Sequence, residues 1–182
     1  MNLFPWLLFL HVLGAVIAFG PTFSYSIIGA MGGRELQHAN FATRLTHVVS
    51  DRLVIPVALT LPITGAGIIL VNGINLAAPQ YRWLGVGIVV YLVVFFYAVL
   101  VQRRTVERLI ELTSTPPPAG AGGPPAGAGV PPAGAGVPPA GAGGPPPEIL
   151  AVVRRVQRGG MFLGVGIVLI VFLMVVKPGF GG

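Results

Sequence analysis

Long apolar stretches alternate with short polar ones along this chain. Four stretches carry no ionisable side chain other than histidine: 1–33, 53–81, 83–102 and 159–176. A helix crossing a hydrocarbon core of ~30 Å needs about 20 residues. The first three stretches are long enough. The fourth reaches about 27 Å at ~1.5 Å per residue. The pattern predicts transmembrane helices at 4–28, 53–72, 83–102 and 159–177, and hence an all-α integral membrane four-helix bundle. Asn2 can cap the first helix, and Pro5 suits its first turn. No Lys or Arg precedes this segment, and its apolar run is too long for a signal peptide, so it reads as a retained helix. Gly20-Pro21 in the first helix, and Pro56 and Pro62 in the second, are expected to kink them.

Between 36 and 53 the pattern changes. Asn40, Arg44, His47 and Asp51 are spaced 4, 3 and 4 apart and share one helical face. Phe41, Leu45, Val48 and Leu53 line an apolar face beside it. The segment reads as an amphipathic helix on the membrane surface that runs into the second span. Its polar stripe is expected to be a solvated face touching headgroups. The sharper alternative is that His47 and Asp51, at i and i+4, orient each other as a proton relay.

Residues 116–147 form a low-complexity segment of 12 Pro, 10 Gly, 8 Ala and 2 Val. The unit PPAGAG(G/V) recurs four times between 117 and 144. Two prolines per unit forbid a helix, and glycine does not recur every third residue as in collagen. The segment reads as a flexible linker with polyproline II character. The chain thus divides into three spans with the amphipathic segment (1–115), the linker (116–147) and a fourth span with a short tail (148–182).

Composition excludes a soluble globule. Only 9% of the 182 residues are charged and 54% are hydrophobic, against roughly 25% charged in an average soluble domain. Mean hydropathy is +0.84 and the pI about 10.8. The net charge of +6 is explained by topology and does not indicate a nucleic-acid partner. Nine arginines (34, 44, 52, 103, 104, 108, 154, 155 and 158) fall in the first and third loops, whereas only Arg82 and Lys177 lie on the opposite side. The positive-inside rule places the nine in the cytoplasm and both termini outside. All five acids share the arginine-rich side. Attraction to anionic headgroups follows. Trp6, Tyr81 and Trp83 suit an aromatic belt at the opposite interface. The expected partners are the lipid bilayer and either other membrane subunits or a second copy. Gly14-xxx-Ala18 and Gly160-xxx-Gly164 are small-xxx-small pairs suited to helix contacts.

Little chemistry is on offer. There is no cysteine, so thiolate metal sites and thiol redox chemistry are excluded. His38 and His47 are nine apart, which matches no compact metal-ligand spacing, so no metal site is expected. No carboxylate lies within a span, which removes the usual coupling residue of a proton-driven transporter. No Ser/His/Asp set shares a depth. What remains is His11, early in the first helix. A titratable residue at that depth is a functional candidate by default, here as an axial haem ligand. The bland reading is a neutral histidine bonded to a carbonyl or hydroxyl of a neighbouring helix. Met174 lies at a comparable depth and is the candidate second ligand.

The stretch FLHVLGAVIAFGPTFSYSIIGA, with its early histidine and Phe-Gly, resembles the start of a bacterial family of predicted integral membrane proteins of unknown function. RELQHANFATRLTHVVSDRLVIP continues that likeness. More remotely, the first helix resembles four-helix CopD-like and HemJ-like membrane proteins. The HemJ likeness implies haem b on His11. Two functions follow: a haem b-binding, redox-related membrane protein, or a non-enzymatic accessory subunit of a larger membrane complex.

Overall fold

A computed structural model describes residues 2–34, 38–114 and 146–178. Among these the chain is helical, without strands. Helix α1 spans Phe4–Arg34; α2 spans Ala39–Val49 and continues through a π turn, Ser50–Val54, into α3, Ile55–Val71. A short 3-10 turn, Pro79–Tyr81, leads into α4, Arg82–Tyr97. A second π turn, Ala98–Gln102, joins α4 to α5, Arg103–Ser114, and α6 spans Pro147–Val176. Four continuous helices are long and apolar enough to cross a membrane, of 31, 33, 36 and 30 residues. At 1.5 Å per residue they measure about 45–54 Å, against a hydrocarbon core of ~30 Å. The four expected spans are present, and each continues past the expected limit at the arginine-rich end.

Two boundaries are corrected. The fourth helix starts at Pro147, twelve residues before the expected 159, because Pro147 occupies its first turn, where no N–H is needed. The third span does not stop at 102 but runs on as α5 to Ser114. The repeats themselves lie outside the described residues, as do 36 and 37 of the amphipathic segment. Asn2 does cap α1: its Oδ1 accepts the Phe4 N–H at 3.2 Å. The helices continue through Pro21, Pro56 and Pro62.

The architecture is two antiparallel hairpins laid side by side. In the first, α1 runs against α2–α3 in one unbroken register: Leu7 faces Gly67, His11 faces Thr64, Gly14 faces Leu61, Tyr25 faces Ser50 and Gly32 faces Ala42. In the second, α4–α5 runs against α6: Trp83 meets Lys177, Gly87 meets Met174, Val94 meets Gly166, Gln102 meets Gly159 and Arg108 meets Glu148. Small residues decide where helices touch, as membrane packing requires. A Cβ at Gly14 would stand 3.1 Å from Leu61 Cδ2, and one at Gly87 2.9 Å from Met174 Cε. Gly14-xxx-Ala18 is thus a contact face, with Ala18 fully buried beside Ala58 and Leu61. Gly160 and Gly164 meet nothing within 4 Å, and Gly159 and Gly166 carry the α6 contact instead.

One joint between the hairpins follows from a proline. Pro62 has no N–H, so the Ala58 carbonyl loses its helical donor. The Tyr91 hydroxyl of α4 donates to that carbonyl at 2.6 Å. In lipid such a freed carbonyl must be satisfied from within the protein. Tyr91 stacks on Phe95 (6.0 Å, 13°), and both pack on the Ala18–Ala58–Leu61 core. Outside these seams the apolar side chains are open, as befits helices solvated by lipid.

Candidate functional site

His11 is half-buried between α1 and α3. Its Nδ1 lies 2.8 Å from Thr64 Oγ1. The Thr64 hydroxyl is back-bonded to the carbonyls of Thr60 and Leu61, each at 3.1 Å. Which of the two donates is set by the imidazole tautomer: with the Thr64 hydrogen on either carbonyl, Nδ1 donates to Oγ1 and Nε2 keeps its lone pair, and in the other tautomer the hydroxyl donates to Nδ1. Gly65 makes room for the ring: a Cβ there would stand 3.4 Å from His11 Cε1. This is the hydroxyl bond on a neighbouring helix that the bland sequence reading named, and it is also the arrangement that orients a ligating histidine. Met174 lies in the other hairpin, with its methyl against Gly87 of α4. The two candidate ligands therefore sit in different helix seams.

The polar stripe divides: Asn40, His47 and Asp51 are half-buried against protein, which corrects the expected solvated face for these three, while Arg44 is exposed. α2 packs against α5, a helix where the arginine-rich sequence predicts a loop. Asn40 Nδ2 donates to the Ile110 carbonyl at 3.3 Å, Thr113 Oγ1 at 2.9 Å and Ser114 Oγ at 3.1 Å. Arg103 bridges two carboxylates, Asp51 at 2.9 Å and Glu107 at 3.2 Å. His47 Nε2 stands 3.6 Å from Asp51 and 4.0 Å from Glu107. These are ion-pair distances, longer than a hydrogen bond, so the expected His47–Asp51 pair belongs to a four-residue cluster. Asp51 Oδ1 is buried with no hydrogen-bond partner among the described residues.

Both π turns lie at this level. Asp51 sits within one, and Arg103 follows the other directly. A π turn inserts a residue and turns the helix beyond it. Here the two turns coincide with the Asp51–Arg103 contact. At the same level Ser50 Oγ donates to Tyr25 Oη at 3.1 Å, and Gln102 Nε2 donates to the Val156 carbonyl at 3.0 Å. Nearer the end, Glu148 and Glu111 flank Arg108 at 3.0 Å and raise its pKa, first through the Glu148 hydrogen bond.

Sequence reasoning found His11, Asn40, Arg44, His47 and Asp51 but missed Thr64, Tyr91, Arg103 and Glu107. The available signals were Thr60 and Thr64 in an otherwise apolar span, Pro62 four residues after Ala58, and Arg103-xxx-Glu107 at helical spacing. Among the described residues no group of three His, Asp or Glu is placed to hold a metal ion.

The family described as "Predicted integral membrane protein (DUF2269)" matches residues 5–116. No curated protein and no solved structure matches the chain. The remote likeness to CopD-like and HemJ-like proteins has no counterpart in these comparisons.

Proposed function

The chain belongs to the DUF2269 family of predicted integral membrane proteins, and from that premise we propose that it holds a b-type haem through His11. The observation that supports this is the Thr64 contact, which engages Nδ1 and, in the tautomer where Nδ1 donates, leaves Nε2 as a ligating nitrogen. A neutral imidazole oriented through its other nitrogen suits haem iron. Bound there, the haem would supply one-electron redox chemistry. His11 would ligate it, Thr64 would fix the ring, and Met174, seated against Gly87, receives no role as second ligand. The membrane is the bacterial cytoplasmic one, with the arginine-rich end inside and both termini outside.

The test is the absorption spectrum of the purified protein. A Soret band with split α/β bands on reduction is expected. His11→Ala should abolish it while the protein still inserts, and His47→Ala should retain it. No haem signal in the intact protein, or haem retained in His11→Ala, overturns the reading. The second reading, an accessory subunit of a larger membrane complex, is favoured by Gly160 and Gly164, which face open space on α6. Co-purification of a stoichiometric membrane partner, lost in Gly164→Leu, would support it.

A further inference from the structure

At the arginine-rich end a shallow, open cleft of about 390 Å³ lies between α2 and α5, lined by Arg44, His47, Val48, Glu107, Ile110 and Glu111. Arg44 and His47 stand on the α2 wall, and Glu107 and Glu111 on the α5 wall, where Arg103 and Arg108 of the same helix pair with the two acids. Val48 and Ile110 are the cleft's apolar members. Arg44 is exposed and makes no ion pair among the described residues, whereas Arg103 and Arg108 are held by carboxylates. Glu107 uses Oε1 for Arg103 and His47, and none of these contacts uses its Oε2.

The depth of the cleft can be placed. Counting ~30 Å of hydrocarbon inward from Trp83 takes about 20 residues and ends at Arg103. Asp51 is level with Arg103. Val48 then lies about 5 Å, and Arg44 about 10 Å, beyond the hydrocarbon edge. The headgroup layer is about 5–8 Å deep on each side, and an arginine stem reaches back into it. The cleft therefore opens where phospholipid headgroups lie. Beside it Val48 and Leu45 are open apolar side chains on the same helix.

We propose that this cleft binds the headgroup of a zwitterionic aminophospholipid, of the phosphatidylethanolamine class. The phosphate pairs with Arg44, the primary ammonium donates to Glu107, and the acyl chains descend past Val48. A primary ammonium offers three N–H donors to Glu107. A trimethylammonium offers none, and a glycerol headgroup brings no positive charge. This selectivity differs from what nine arginines alone would give, which is preference for anionic lipid.

The experiment is native mass spectrometry of the full-length protein, released from detergent after equilibration with phosphatidylethanolamine, phosphatidylcholine or phosphatidylglycerol of matched chains. Retention should be highest for phosphatidylethanolamine. Arg44→Gln and Glu107→Gln should each lower it by up to about fivefold, the range of a partly exposed charge pair. Arg154→Gln, away from the cleft, should leave it unchanged, and circular dichroism of each variant verifies folding. Soluble phosphoethanolamine in excess should not displace the lipid, since the chains contribute. Equal retention of phosphatidylcholine, preference for phosphatidylglycerol, insensitivity to Arg44→Gln, or full displacement by free phosphoethanolamine overturns the proposal.

Discussion

The Tyr91–Ala58 bond is the contact whose cause is clearest, and a double-mutant cycle can isolate it. Tyr91→Phe removes only the hydroxyl and keeps the ring stacked on Phe95. The Ala58 carbonyl, 7% exposed as a residue, is then left without a donor, because position 62 is proline. An orphaned buried acceptor costs about 1–3 kcal/mol. Polar contacts between membrane helices average ~0.6 kcal/mol and reach ~1.7. The expected loss is therefore about 1–2 kcal/mol. Pro62→Ala supplies an N–H four residues after Ala58 and restores the helical bond. In that background Tyr91→Phe should cost no more than about 0.5 kcal/mol, a coupling near 1 kcal/mol between residues on different helices. Reversible unfolding in mixed micelles, followed by circular dichroism, measures all four corners. Equal costs in both backgrounds would refute the claim that the proline creates the need for the tyrosine.

Four further outcomes are expected. Gly166→Ala pushes a Cβ into the branched Val94 side chain, while Gly160→Ala meets open space; the helix-propensity gain is common to both, so Gly166→Ala should unfold about 1–3 kcal/mol more easily, and equal stabilities would contradict the packing. Arg103→Gln leaves the two carboxylates Asp51 and Glu107 close together without their shared cation, whereas Asp51→Asn removes one of those acids, so Arg103→Gln should be the more destabilising in thermal melts, each by no more than about 1 kcal/mol, and a larger loss in Asp51→Asn would contradict it. Lys177 adopts φ 48° at the end of α6 while its ammonium lies 5.8 Å over the Trp83 ring; in Lys177→Gly, relief of roughly 1 kcal/mol of left-handed strain should offset loss of the cation–π contact of about 0.5–1 kcal/mol, and a fall beyond about 1.5 kcal/mol would count against it. For orientation, a cysteine at Asn75 should label with an impermeant thiol reagent in intact cells and one at Thr105 should not; the reverse would invert the topology.

The spans were legible because their signal is a deficit of charge over some 20 residues, which survives any detail of packing. The extensions were less so. Residues 103–114 were read as loop because Arg103, Arg104, Glu107, Arg108 and Glu111 swamp the hydrophobic count, although Leu109 lies buried at their centre. The spacing of the α2 stripe shows which residues share a face but not what covers them, because the charged α5 gives no apolar signal of a partner helix. Gly14 and Ala18 were placed at a contact correctly, whereas Gly160 and Gly164 were not. A small-xxx-small pair says that a helix can approach closely, and the turn of α6 toward α4 decides which glycines are used. His11 was singled out by depth alone, and Thr64 was missed because a hydroxyl that back-bonds to its own helix leaves no mark in hydropathy.

The unbroken antiparallel register of each hairpin bears on how the protein is made. Every strong seam in the first hairpin joins residues of 4–71, so all of its partners are synthesised before α4. It can enter the bilayer as a closed pair, with Gly32 against Ala42 near the turn and Leu7 over Gly67 at the far end. The second hairpin cannot close until α6 appears. Until then α4 has only the first hairpin to lean on, and the Tyr91 hydroxyl can reach the Ala58 carbonyl that Pro62 has left open. That bond would hold the half-built molecule together across the delay imposed by the long Pro/Gly/Ala insert. Residues 5–116, the stretch matched by the family, end where that intermediate ends.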